Sequence, residues 1–126
     1  MKRKAFTASG AVSVGPYSHA VEAAGFVYLS GQTPMDSVTK KLADGGIAAQ
    51  TKQCFVNLAN VLEAAGLTMD NVVKVTVFLT DMANFPAMND VYKDRFTAPY
   101  PARSTVGVKE LPLGALVEIE MIASRK

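Results

Sequence analysis

Along most of the chain, apolar residues either alternate with polar ones or recur at helical spacing, and the changes of period mark out the elements. Phe26, Val27, Tyr28 and Leu29 predict a short strand, joined to a preceding one at Ala20–Ala23 by a turn at Ala24-Gly25. Residues 31–46 read as loop, carrying Pro34, Asp36, Ser37 and the Gly45-Gly46 pair. Ile47, Thr51, Cys54, Leu58, Val61, Leu62 and Ala65 then share one side of a helix, with Gln50, Lys52, Gln53, Asn57 and Asn60 off that stripe. Gly66 supplies its left-handed stop. Val72–Leu79 is a β-branched run, placing Val73, Val75, Val77 and Leu79 on one face and Val72, Lys74, Thr76 and Phe78 on the other. A second helix is expected from an Asn84 cap, with Pro86 in its first turn, to about Phe96. Its buried side is marked by Phe85, Met88, Val91, Tyr92 and Phe96. Tyr100-Pro101 breaks the chain before a strand at 102–108, a turn at 109–114 and a last strand at 115–123.

The order hairpin, helix, strand, helix, hairpin predicts an α+β fold, with a single mixed sheet and two helices packed on one face. That leaves a face uncovered. Val72 and Phe78 on one side, and Val73, Val75 and Val77 on the other, all need burial, so a second subunit is expected to supply the missing layer, in a ring. With 126 residues, the chain reads as one domain spanning 1–126, and 49% apolar residues suffice for a core without staples.

Charge and rare residues narrow the function. A net charge of +2 is far from the concentrated basic field of a nucleic-acid binder, so no nucleic-acid partner is expected. The single Cys54 excludes an internal disulfide and multi-cysteine metal clusters; it lies in the helical stripe and reads as core. The single His19 removes the paired-histidine layouts of many nucleases and zinc sites, and no metal is expected. The basic start is followed by a stretch too short and polar for a signal peptide. No run approaches the ~18 apolar residues of a membrane span. The expectation is a soluble, cytoplasmic protein with no membrane partner.

The last strand carries the most informative chemistry. Alternation puts Glu118 and Glu120 on one face with Leu116 and Ile122, where two carboxylates need a cation or solvent. The strand before it offers Arg103, with Thr105 and Gly107 on the same side. If the two strands form an antiparallel hairpin, Arg103 lies opposite Glu118 or Glu120. One reading is a cross-strand ion pair. The other is a guanidinium gripping a substrate carboxylate bidentately, beside a glutamate that orients or deprotonates water. The residues leave both open. Gly15-Pro16-Tyr17-Ser18 presents an aromatic hydroxyl from a stiff turn. Ser30-Gly31-Gln32 ends a strand, where Gly31 lets backbone approach a ligand closely. Asn89 points either to solvent or into a cleft, and His19 reads as a hydrogen-bonded structural residue.

Taken in order, Gly15-Pro16-Tyr17-Ser18, Tyr28-Leu29-Ser30-Gly31-Gln32, Gln50-Thr51, Val72-Val73-Lys74-Val75-Thr76-Val77-Phe78, Asn89, Pro101-Ala102-Arg103-Ser104 and Val117-Glu118-Ile119-Glu120 resemble the reactive intermediate deaminase family (Rid, formerly YjgF) over nearly the whole chain. The resemblance implies a chorismate-mutase-like fold assembled as a homotrimer, with a site in each subunit cleft. It also implies hydrolysis of reactive enamines and imines (2-aminoacrylate, 2-iminopropanoate, 2-iminobutanoate) to 2-oxo acids and ammonium, without metal or organic cofactor. Arg103 matches the required arginine, taken to hold the substrate carboxylate, and Glu118 matches the glutamate associated with the attacking water. Tyr17, Ser30, Gly31 and Asn89 match pocket positions, with Gly31 and Thr105 offering backbone groups. Two departures stand out. Thr105 replaces a frequent cysteine, which removes an essential thiol, and His19 stands where many members have glutamine. The rival expectations are a non-catalytic trimeric module binding small carboxylates, an endoribonuclease, and a chaperone-like role through apolar surface.

Overall fold

A computed structural model of the chain describes residues 2–9 and 15–126. Six strands, β1 (Lys4–Phe6), β2 (Ala20–Ala23), β3 (Phe26–Gln32), β4 (Val72–Leu79), β5 (Ala102–Gly107) and β6 (Val117–Ser124), form one mixed sheet in the order β1-β2-β3-β6-β4-β5. Two helices, α1 (Gly46–Ala64) and α2 (Phe85–Tyr92), cover one face. None of the helices is long and apolar enough to cross a membrane among the described residues.

The expected α+β class is observed, but the terminal hairpin is not. β6 inserts between β3 and β4, antiparallel to both, while β5 runs parallel to β4 at the sheet edge. Arg103 is therefore opposite Val75, and Glu118 opposite Phe78. The physical reason lies in burial. β6 buries Val117, Ile119, Met121 and Ala123 and must lie centrally, whereas β5 buries no residue fully and suits an edge.

The core joins Val75, Val77 and Leu79 of β4 to that β6 row, to Val27 and Leu29, and to Cys54, Phe55, Leu58, Val61 and Leu62 of α1. Val73 departs from its expected face. A bulge between Val72 and Lys74 turns Val72 inward and leaves Val73 43% exposed. Gln50 and Asn57, read as off the buried stripe of α1, are in fact buried. Gln50 Oε1 accepts from the Leu116 N–H at 2.9 Å, and the Asn57 amide donates to the carbonyls of Thr33 and Met35. These side chains satisfy loop backbone that would otherwise be orphaned.

Helix α1 ends as its glycine suggests. Gly66 has φ 76°, the Leu67 N–H reaches the Leu62 carbonyl, and the Gly66 N–H reaches that of Glu63, which is a Schellman motif. Helix α2 stops at Tyr92, short of Phe96, and Asn84 makes no side-chain cap bond. Phe96 is buried all the same, because it completes an aromatic cluster with Phe55 and Tyr92 at ring-centre distances of 5.2–6.0 Å.

The other face of the sheet is open. Phe26, Tyr28, Val73 and Val106 stay more than two-fifths exposed, beside half-buried Phe78 and Ile122. An apolar sheet face of this kind has the composition of a contact surface.

Candidate functional site

Pairing puts Arg103 on the helix-covered side of the sheet, in register with buried Val75. Its guanidinium is held by α2. Nη1 donates to Asn89 Oδ1 at 2.7 Å, and Cζ lies 4.5 Å from the Tyr92 ring centre and 5.4 Å from that of Phe85. Asn89 thus turns into the cleft. The cation–π contacts and the single hydrogen bond fix the fork while leaving most of its N–H groups unspent. Among the described residues, the ion pairs are Lys93–Asp90 and Arg125–Glu22; neither involves Arg103. A half-buried guanidinium with no carboxylate partner among the described residues has the chemistry to receive an anion. Tyr100, Pro101 and Lys93 complete the rim of this cleft, of about 410 Å³. Thr105 lies on the same side as Arg103, its hydroxyl buried without a partner. Burial pushes the Tyr92 hydroxyl up, against the opposing charge of Arg103.

Glu118 sits elsewhere. It projects from the open face of β6, opposite Phe78, into a cleft of about 480 Å³ shared with Tyr17, Ser30, Gly31, Thr33, Pro112 and Glu120. Burial raises its pKa above the usual carboxylate range, and the like charge of Glu120 raises it further. The loop carrying Tyr17 is stitched to β3. Ser30 Oγ donates to the Ser18 carbonyl at 2.6 Å, and the Ser30 N–H donates to the carbonyl of His19 at 2.9 Å. His19 is buried, and its Nδ1 accepts the Ala8 N–H at 3.0 Å, so the neutral ring carries its proton on Nε2. Cys54 is buried as expected, and burial drives its thiol far up in pKa, with Glu118's charge adding to the shift.

The predicted residues therefore fall into two groups. Arg103, Asn89 and Thr105 gather on the helix side, while Tyr17, Ser30, Gly31 and Glu118 gather on the open side. One subunit does not bring Arg103 and Glu118 together, and the intrachain ion pair is not formed. Sequence reading missed the aromatic support of Arg103. The signal was present in Phe85 and Tyr92 flanking Asn89 on α2, but both were absorbed into the core stripe.

A profile of the family described as Endoribonuclease L-PSP matches residues 7–125. The chain belongs to this family. It is the Rid, or YjgF, family of the resemblance above, and curated relatives carry the deaminase name. One of them, the 2-iminobutanoate/2-iminopropanoate deaminase of Dermatophagoides farinae, is 50% identical over 109 residues, covering 86% of this chain and 85% of that protein. Among solved structures, a Rid protein, YyfA from Yersinia pestis, has a TM-score of 0.93 at 43% identity, covering 98% of this chain and 99% of its own. The E. coli TdcF structure with bound serine has a TM-score of 0.91 at 35% identity, covering 98% and 99%. The Rid fold thus extends over essentially the whole chain.

Proposed function

We propose that this protein, a single Rid domain over residues 1–126, is a deaminase that hydrolyses 2-aminoacrylate, 2-iminopropanoate and 2-iminobutanoate to 2-oxo acids and ammonium. The observation that carries the reading is Arg103: a guanidinium pre-oriented by Asn89, Tyr92 and Phe85, with no carboxylate among the described residues of its own subunit to satisfy it. A 2-imino acid supplies that carboxylate. The deaminase names among its relatives support the same activity. The opposite placement of Arg103 and Glu118 supports a homotrimer whose clefts join the Arg103 side of one subunit to the Glu118 side of the next. The exposed apolar sheet face is the surface such an assembly would bury.

In this site the substrate carboxylate binds the free edge of Arg103, which fixes the imine carbon near Glu118. The carboxylate of Glu118 takes a proton from water as the oxygen attacks that carbon, giving a carbinolamine. With the imine protonated when water attacks, Glu118 then returns the proton to nitrogen and takes the hydroxyl proton as the carbonyl forms; the C–N bond breaks, and the departing ammonia takes that last proton from Glu118 to become ammonium. A raised pKa makes Glu118 a better proton acceptor than an ordinary carboxylate and suits it to both transfers. The enamine enters by the same route once its methylene carbon is protonated. Tyr17, Ser30, Gly31, Asn89 and Thr105 line the pocket. The reaction needs water and these side chains, with no metal or organic cofactor, and the cytoplasm is the compartment in which such imines would be met.

A pyridoxal-phosphate threonine dehydratase generating 2-iminobutanoate provides the test. Wild-type protein accelerates 2-oxobutanoate and ammonium release, and Arg103→Ala, still oligomeric, does not. The serine bound to TdcF favours a second reading, a carboxylate-binding module; saturable 2-oxobutanoate binding without turnover would select it. Endoribonuclease activity fits the charge poorly, and RNA cleavage by tag-free protein, lost on mutation of the site, would revive it.

A further inference from the structure

Gly31 is a glycine for an unusual reason. Gly15, Gly25, Gly45, Gly46, Gly66 and Gly114 have φ between +74° and +154°, a region that side chains avoid; Gly31 is not among them. Its backbone admits any residue. What position 31 lacks is room. A Cβ there would overlap Oε2 of Glu118 and fall 3.0 Å from its Cδ and 3.3 Å from its Cγ. The carboxylate of Glu118 therefore lies over the bare Cα of Gly31. The local ladder is shaped to suit: Leu29 pairs with Met121 and Gln32 with Ile119, so Ser30 and Gly31 together oppose Glu120 in a bulge.

We infer that Gly31 is a positioning residue, its missing side chain being the seat that holds the Glu118 carboxylate against the sheet. Any larger residue lifts the carboxylate towards solvent. The titratable groups about Glu118 are Glu120 on its own strand, Tyr17 across the cleft, and Cys54 of α1, whose thiol senses its charge. Among the described residues of the same subunit none of these is cationic, so burial on Gly31 is what the carboxyl loses there when it is lifted; the Arg103 that the proposed assembly brings to the cleft is the same in wild type and Gly31→Ala. The consequence for turnover rests on the deaminase reading; the seat itself does not.

The test compares wild type, Gly31→Ala, Glu118→Ala and the double variant. The carboxyl of Glu118, assigned in 13C NMR by its loss in Glu118→Ala, is titrated in wild type and Gly31→Ala. The expected result is a midpoint that falls in Gly31→Ala towards that of an ordinary exposed carboxyl. In the dehydratase-coupled assay, kcat falls about 10- to 100-fold with KM within about 3-fold, because Arg103's grip is untouched. In the Glu118→Ala background the alanine at 31 lowers kcat by a clearly smaller factor than it does in wild type, because the part of its effect that runs through Glu118 is gone. An unchanged Glu118 midpoint in folded Gly31→Ala overturns the inference whatever the activity, and so does an equal loss of activity in both backgrounds. If wild type hydrolyses no imine, the deaminase reading fails while the titration still decides the seat. If Gly31→Ala fails to fold, the double variant must recover folding, since the clash is gone; failure there also overturns the inference.

Discussion

Replacing Arg103 with lysine keeps the positive charge and removes the fork, which makes it a sharper test than alanine. In the structure one guanidinium nitrogen is committed to Asn89 at 2.7 Å, and Cζ lies 4.5 Å from the Tyr92 ring centre. The remaining edge accepts a carboxylate through two parallel N–H bonds. A lysine ammonium satisfies Asn89 and one carboxylate oxygen, without the guanidinium's broad contact with the Tyr92 ring. The loss is one charge-assisted hydrogen bond, about 1.5–3 kcal/mol, plus about 0.5–1 kcal/mol of cation–π contact. Their sum, about 2–4 kcal/mol, corresponds to a fall of roughly 30- to 1,000-fold in kcat/KM. Because the substrate carboxylate keeps its charge throughout the reaction, most of this fall belongs in KM. Steady-state assays with dehydratase-generated 2-iminobutanoate measure both parameters. A lysine variant within about 3-fold of wild type in kcat/KM would refute bidentate recognition by Arg103, leaving it as a plain positive charge.

Three further outcomes follow from the same geometry. Glu118→Gln lowers kcat by about 10²- to 10⁴-fold with KM nearly held. It also stabilises the protein near pH 7, because a carboxyl whose pKa is raised on folding costs stability once ionised. That cost grows as pH climbs from the unfolded value through the folded one and is absent below both, so thermal melts of the two proteins converge at acid pH. Tyr92→Phe leaves stability and activity within experimental error or improves stability slightly, since the hydroxyl is buried without a partner, whereas Tyr92→Leu costs about 2–4 kcal/mol in chemical denaturation and weakens substrate binding.

Strong periodicity made β3, α1 and β4 readable from the residues, and the Gly66 stop was read correctly in position and cause. Strand order was not. Residues 102–108 and 115–123 are close in sequence, and that proximity suggested a hairpin; pairing was decided instead by which strand had two faces to bury. Arg103, Ser104 and Gly107 give β5 the composition of an edge strand, and the uninterrupted inward row Val117, Ile119, Met121, Ala123 marks β6 as central. That single error placed Arg103 and Glu118 side by side, when one chain holds them on opposite faces. Alternation does recover the face of each residue within its own strand. It does not relate the faces of two strands whose pairing is unknown. The seat of Glu118 on Gly31 was equally hidden, because it depends on a bulge and on a side chain 87 positions away.

The central claim is that Arg103 of one subunit and Glu118 of another complete one site, and subunit mixing tests it most directly. Arg103→Ala and Glu118→Gln proteins are inactive as separate preparations. They are mixed in equal amounts, exchanged under mild denaturant, and reassembly is verified by native mass spectrometry. Each intact cleft then needs its arginine from a Glu118→Gln chain and its glutamate from an Arg103→Ala chain, so about a quarter of wild-type activity returns. No recovery in verified mixed assemblies would contradict the shared site.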